Sequence, residues 1–409
     1  MTGTPATAQV AVHAFPAQAL PPWKRAVLKV GSSLLAGEGG LTPRHAAQLA
    51  AFVRDAQARG REVVIVSSGA VAAGRGIVGT APRAGAQMAE RQALAALGQA
   101  KLMAFWQGFF ERPVAQVLLT HDDVRNRRRY LNARATLQEL LARGALPIVN
   151  ENDTVSVDEL KLGDNDTLGA IVAALVDADV LFLATDIDGL YDADPRRMPE
   201  ARPITQVTAL TAEVMAMAGD AGSAVGTGGM RTKLLAAERA SAAGIATVLF
   251  NGTRAEVMAA LGEDQLHGTR IVPERSRSAA RKHWLSQAPA EGALLVDAGA
   301  ARAVTERGAS LLPSGVLEVT GEFRRGDVVE MFTRDADDTP PRGVARGIVQ
   351  YSAADIRRLC RRSSREIDAV LGYTYGDNIV HRDDLSLLAP RPVTGSGRGA
   401  TSSQEPSSA

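Results

Sequence analysis

The side chains able to do chemistry in this chain gather in short polar breaks that follow apolar runs. Lys29 stands near the end of the run 26–30, directly before Gly31-Ser32-Ser33. Small residues there let backbone N–H groups approach a phosphate closely, and the lysine adds positive charge. No GxxxxGK(S/T) is present, so this is not a Walker A loop, and an ordinary strand-to-helix turn reads the same way. Ser68-Gly69-Ala70 follows the run 63–66 and leads into the small-residue segment 71–76. Amides and a hydroxyl at a helix N-terminus suit a carboxylate ligand, although a tight βα turn has the same composition. Asn150-Glu151-Asn152-Asp153 follows another apolar run, and Gly163-Asp164-Asn165-Asp166 opens the next helical segment. One helix cap needs one such residue, so the surplus favours binding: oxygen acceptors for an ammonium group and amides for a carboxylate. Thr185-Asp186 ends a further run. Gly226-Thr227-Gly228-Gly229-Met230-Arg231-Thr232-Lys233 is a Gly-rich loop entering a helix. Such a loop can wrap a nucleotide and bring Lys233 to a transferred phosphoryl group, but alone it is weak evidence.

The elements that must position these breaks alternate along the chain. Short β-branched runs (26–30, 63–66, 114–119, 146–149, 180–184, 245–250) are separated by helical segments, one with Leu49, Phe52, Val53 and Ala56 on a face and one bearing Leu94, Leu97, Leu102, Phe105 and Phe109. Continuous apolar strands between helices predict an α/β fold, a mostly parallel open sheet sandwiched by helices. Such sheets bind ligands beyond the carboxyl ends of their strands, where the polar breaks fall. After residue 291 short strands (293–296, 315–320, 327–331, 343–349) are separated by Gly, Pro and Asp, predicting a small β-barrel-like domain. The expected organisation is a flexible extension over 1–23, an α/β domain over 24–282, a linker over 283–290 that docks through Trp284 and Leu285, a β-rich domain over 291–385 and a disordered tail over 386–409.

Composition narrows the function classes. In 409 residues, 46 Lys and Arg balance 45 Asp and Glu, which removes the overall charge of a dedicated nucleic-acid binder. A single cysteine, Cys360, forms no internal disulfide, and six His without an HExxH or CxxC spacing give no zinc signature. No apolar stretch approaches the roughly 20 residues that span a bilayer, and no secretory signal is read at the start. A reducing, cytoplasmic setting is the expectation.

Taken together, the motifs resemble the amino acid kinase family, and closely its glutamate 5-kinases. LKVGSSLL at 28–35, VSSGAVAAG at 66–74, NEND at 150–153, GDND at 163–166 and GTGGMRTK at 226–233 carry the resemblance, which runs from about residue 26 to 384. The last block and the ending YTYGDNIVHRDD at 373–384 separate it from acetylglutamate, aspartate and uridylate kinases. The C-terminal part resembles a PUA module, a fold elsewhere associated with RNA. The resemblance implies ATP-dependent phosphorylation of the L-glutamate γ-carboxylate, opening proline synthesis. By motif position, Lys29 and Lys233 would stabilise the phosphoryl group in flight and Asp166 would orient them. Ser68, Asp153 and Asn165 would hold glutamate, with the backbone at Gly69 and Ala70. Thr185, Asp186, Thr227, Gly228, Gly229, Met230, Arg231, Thr232 and Lys233 would contact ATP, as would Lys29. Mg²⁺ with ATP, feedback inhibition by proline, a homo-oligomer and handover of product to glutamyl phosphate reductase are further implications. The departures lie at the two ends and disturb no site.

Other clusters read more simply. The arginine-rich stretch 125–129 could bind phosphate or RNA, but a solvated face or an oligomer contact is the favoured reading. Arg357, Arg358, Arg361 and Arg362, in a predicted helix, are the best candidates for RNA binding, diluted by Asp355, Glu366 and Asp368. Asp186, Asp188, Asp192 and Asp194 lack the EF-hand order, and His121-Asp122-Asp123 reads as a polar strand end. The alternative function is an RNA-binding or RNA-modifying protein with an inactive kinase domain.

Overall fold

The computed structural model describes residues 14–79, 88–156, 165–195, 197–198, 200–218, 229–334 and 341–388. The chain divides into two compact units, residues 1–281 and 282–409.

In the first unit the β-branched runs become strands because apolar side chains on both of their faces are covered. β1 (Arg25–Val30), β2 (Glu62–Ser67), β3 (Val114–Leu119), β4 (Leu146–Glu151), β5 (Val180–Thr185), β6 (Gln206–Val207), β7 (Ala246–Asn251) and β8 (Gly268–Ile271) form one eight-stranded sheet. Its order is β6-β8-β7-β5-β1-β2-β4-β3. The neighbours from β7 to β3 pair in parallel, as expected. At the edge β8 runs antiparallel to β7, with β6 parallel to β8, so the sheet is mostly, not wholly, parallel.

Period-two alternation sorts each strand between two cores. Ala26, Leu28 and Val30 join one core with α1 (Pro43–Ala58), which offers Leu49, Phe52, Val53 and Ala56 as predicted. Val27 joins the other, with Leu168 and Ala170 of the helix Asn165–Leu175 and Leu234 of the helix Met230–Ala242. Lys29 therefore lies on the second face, where those two helices pack. On the first face α2 (Ala70–Val78) crosses α3 (Met88–Gln107) with backbones in contact: a Cβ at Gly98 would lie 1.9 Å from the Ala70 carbonyl oxygen. Leu94 and Leu102 are buried as predicted, whereas Leu97 points outward and is 49% exposed. His121 begins α4 (His121–Arg125) and is not a strand end. Thr120 and Asp123 form a capping box there, satisfying two otherwise orphaned amides. Helix α5 (Arg127–Ala142) follows, with Asn126 as its N-cap.

Residues 14–23 differ from the expected flexible extension. Gln18–Ala19 pairs antiparallel with Gln265–Leu266, and Phe15, Leu20 and Trp23 are buried. Composition hid this, because the segment depends on partners far along the chain. The predicted linker is helical through Gln287, in a helix spanning Arg277–Gln287. Its first turns belong to the first unit, where Arg277 pairs with Asp179, at 3.0 Å, and Arg281 with Asp177.

The second unit is a five-stranded mixed sheet of β9 (Gly292–Val296), β10 (Val316–Gly321), β11 (Val328–Thr333), β12 (Arg342–Val349) and β13 (Val380–Leu387), ordered β10-β9-β11-β12-β13. β13 extends past the predicted end of the domain at 385, and the Leu388 amide still bonds the Val344 carbonyl. The unit has its own core around Leu294, Met331, Tyr351 and Ile356, and Leu285 is buried against Val328 and Ile348. Among the described residues no helix is long and apolar enough to cross a membrane.

Candidate active site

Strand register sets the site. β1 pairs with β2 through Lys29–Val66 and Val30–Ser67, and with β5 through Val30–Ala184; β5 pairs with β7 through Thr185–Asn251. Val66 in turn faces Val149 on β4. Lys29, Ser67, Asn150, Thr185 and Asn251 thus fall within two residues of one another along the strand direction, at the carboxyl ends of adjacent parallel strands. Three helices begin near there: α2 after Gly69, α6 (Asn165–Leu175) and, counting α7 (Ala212–Met217) between them, α8 (Met230–Ala242). Their N-terminal amides add partial positive charge to that end.

Asp166, in the first turn of α6, is fully buried and holds two lysines. Its Oδ1 lies 2.6 Å from Lys29 Nζ, and its Oδ2 lies 3.0 Å from Lys233 Nζ. Each lysine is only 6% exposed. The single Thr232 hydroxyl hydrogen is shared between the Gly229 carbonyl at 2.8 Å and Asp166 Oδ2 at 3.1 Å, tying the start of α8 to Asp166. Gly169, one turn along α6, packs over Lys29, where an added Cβ would lie in ordinary contact, 3.4 Å from Lys29 Cβ. Two ammonium groups around one carboxylate leave one net positive charge, at a low-dielectric spot where it acts strongly on an incoming anion.

A second polar chain lies beside it. Asn165 Nδ2 donates to Ser68 Oγ at 2.7 Å and to Asn150 Oδ1 at 3.1 Å, and Asn150 Nδ2 donates to Gln99 Oε1 at 3.1 Å. The Ser68 backbone is fixed from below, where Trp106 Nε1 donates to Ser67 Oγ and Ser67 Oγ donates to the Ser68 carbonyl, each at 2.8 Å. Gly69 takes φ +115°, a left-handed turn that glycine adopts without a Cβ penalty, and it starts α2. Asp153 is half-buried in the turn after β4; that turn is held by Ser156 Oγ donating to Glu151 and by the Asn152 amide donating to the Leu119 carbonyl.

On the other side of Lys29, Thr185 is buried and donates to Asp186 Oδ1 at 3.2 Å. Asn251 donates to Asp188 Oδ1 at 2.8 Å, and Arg254 pairs with the same oxygen at 3.0 Å. Asp188 is therefore taken up by the chain's own Asn251 amide and Arg254 guanidinium. Gly229 caps α8, Met230 is half-buried, and Arg231 is exposed. Thr227 and Gly228, like Gly163 and Asp164, lie outside the described residues. Of the residues singled out from the sequence, the structure brings Lys29 and Lys233 together on Asp166, and Ser68 together with Asn165. Sequence reasoning did not single out Gln99, Asn150 as a link, or Asn251. For Asn150 and Asn251 the usable signal was position, a polar residue closing an apolar run on a strand next to β2 or β5; Gln99, inside α3, carries no such signal.

In the second unit three of the four arginines considered for RNA are engaged with the chain itself. Arg357 pairs with Glu322 at 2.8 Å, Arg362 reaches Glu366 at 3.5 Å, and Arg358 donates to the Val370 carbonyl.

A mostly parallel sheet with helices on both faces, carrying buried lysines and helix N-termini at its carboxyl end, defines a phosphoryl-transfer scaffold. Residues 24–251 match the amino acid kinase family and residues 292–371 the PUA domain, and the chain belongs to the amino acid kinase family. Within it the relatives are narrower still. The chain is 64% identical over 390 residues to a protein named glutamate 5-kinase from Xylella fastidiosa (strain 9a5c), covering 95% of this chain and 100% of that protein. It is 68% identical over 364 residues to the glutamate 5-kinase of Xanthomonas campestris pv. campestris (strain 8004), and 69% identical over 364 residues to that of Xanthomonas oryzae pv. oryzae (strain KACC10331 / KXO85). Each of these two matches covers 88% of this chain and 100% of the relative.

Proposed function

We propose that this chain transfers the γ-phosphoryl group of ATP to the γ-carboxylate of L-glutamate, giving L-glutamyl 5-phosphate and ADP, the first step of proline synthesis. The observation that carries the reading is the convergence of Lys29 and Lys233 on the buried carboxylate of Asp166, 2.6 and 3.0 Å away. The names of the relatives supply the substrate.

The chemistry fits these groups. A carboxylate is ionised at pH 7, so it attacks phosphorus without a catalytic base; the bond from the γ-phosphorus to the bridging oxygen breaks, and its electron pair leaves with ADP. The barrier is the meeting of two anions, lowered by positioning and by positive charge. Lys29 and Lys233 would face the phosphoryl group, with Asp166 holding both ammonium groups in place. Ser68 and Asn165, with Asp153, would bind glutamate, and Thr185, Asp186 and the segment leading into α8 would face ATP. Mg²⁺ would neutralise phosphate charge. Both oxygens of Asp166 are occupied by lysines, so phosphate oxygens and water would supply most of the metal's ligands. A homo-oligomer inhibited by proline, working in the cytoplasm and passing its labile acyl phosphate to glutamyl phosphate reductase, completes the proposal on the strength of the family resemblance. The intact lysine–aspartate–lysine group argues against a silent kinase domain serving an RNA-binding protein.

The test is glutamate-dependent ADP release by the purified chain with Mg²⁺ and ATP. Lys29→Ala and Lys233→Ala should each lower kcat by more than about tenfold while the melting temperature shows a folded protein. Folded variants turning over at the normal rate would sink the assignment.

A further inference from the structure

We propose that residues 14–23 form a strap that positions the nucleotide side of the site, with Phe15 as its positioning residue. This rests on the kinase reading, in which Thr185 and Asp186 face ATP.

The chain leaving Asp186 turns through Asp188 and Gly189 into the hairpin Leu190–Tyr191 with Pro203–Ile204. At its near end this segment is held by Asn251 and Arg254, both on Asp188. At its far end it rests on the strap. Phe15 is buried and meets Tyr191 edge to face, with centroids 5.2 Å apart, in a small cluster with Ala201 that stands apart from the two large cores. Gly189 leaves the space for that ring, since a Cβ there would lie 2.6 Å from Phe15 Cζ. Thr269 finishes the seat by accepting from the Leu190 amide at 2.8 Å and donating to the Ile204 carbonyl at 2.6 Å.

The strap is itself anchored. The Phe15 carbonyl meets His267 Nδ1 at 2.8 Å, and Gln18 Nε2 donates to the Thr205 and Gly268 carbonyls at 2.9 Å each. Gln18–Ala19 pairs with Gln265–Leu266, and the Leu20 amide donates to the Asp264 carbonyl. Pro16, Pro21 and Pro22 favour an extended backbone before the strap docks, which lowers the entropy lost on docking. A ring held this firmly against the segment that follows Asp186 limits where Asp186 can stand. Losing it should loosen ATP more than glutamate, because Ser68 and Asn165 belong to different elements.

The experiment is steady-state kinetics of the full chain, wild type beside Phe15→Ala and Phe15→Leu. Glutamate-dependent turnover by wild type tests the kinase reading on its own; its absence removes that reading and the inference resting on it. Given an active wild type, Phe15→Ala should raise the KM for ATP by about fivefold, leave the KM for glutamate within about twofold, and be largely rescued by Phe15→Leu. Should Phe15→Ala fail to fold, Phe15→Leu alone should still raise the KM for ATP selectively, by about twofold. Unchanged ATP KM in the folded variants, or equal shifts in both substrates, overturns the positioning role.

Discussion

Asp166 is the residue on which the site turns, and its role is electrostatic before it is chemical. Two ammonium groups side by side in a buried place repel each other, and a carboxylate between them makes the arrangement tolerable. Asp166→Asn keeps the shape and removes the charge. It should cost stability on the order of 3 kcal/mol and lower kcat by more than about tenfold, read by denaturant unfolding and by ADP release. A variant as stable as wild type would show that the lysines do not need the carboxylate. Asp153 is different: half-buried in a turn after β4, it should govern glutamate affinity. Asp153→Ala is expected to raise the KM for glutamate and spare that for ATP, and an effect on ATP alone would remove it from the amino-acid site. These residues were legible because each closes an apolar run or opens a helix in a run of similar polar residues. Gln99 was not, since it lies within a helix and gains meaning only when α3 crosses α2 and brings it to Asn150.

Elements add constraints that no single motif contains. The parallel strands could be read because buried β-branched runs have a plain signature, whereas the antiparallel edge β8 and the strap pairing at Gln18–Ala19 are too short to show a period. Tertiary partners decide them. The α2–α3 crossing is one such constraint: Gly98→Ala would place a methyl 1.9 Å from the Ala70 carbonyl, backbone against backbone. Calorimetry should show a loss of about 2 kcal/mol, with weakened glutamate binding, because Ala70 begins the helix that follows Ser68. Normal stability would mean that the helices can part without cost. The strap end is closed by Arg61, which reaches both oxygens of Asp264 at 2.6 and 2.8 Å and lies over the Trp23 ring at 4.5 Å. The Arg61 hydrogen bonds hold the Asp264 carboxyl below its ordinary value of 3.8, against the opposing effect of burial. A carboxyl depressed in the fold stabilises above its unfolded pKa, and the gain is lost as pH falls through the folded value. Asp264→Asn should therefore melt below wild type at pH 7, and the gap should close below about pH 4. A gap independent of pH would show that the carboxylate charge contributes nothing. Asn suits the position, where φ is +57°.

At the scale of the whole molecule, each of the two units carries its own core: the two faces of the eight-stranded sheet in residues 1–281, and the cluster around Leu294, Met331 and Tyr351 in residues 282–409. All the site residues named above lie in the first. Its last helical turns bring Arg277 and Arg281 onto Asp179 and Asp177, below the carboxyl-end site, so ending the chain after Arg281 keeps those clamps. It also leaves out Leu285, whose burial against Val328 and Ile348 belongs to the second unit. The fragment 1–281 should therefore fold cooperatively and release ADP in a glutamate-dependent way, with KM values for both substrates within about threefold of the full chain. Thermal unfolding and steady-state kinetics on the fragment check this. Proline titrated into the same assay shows whether inhibition also resides there. A fragment that folds yet has lost turnover would mean that the PUA-containing unit contributes to catalysis, and the site as described would be incomplete without it.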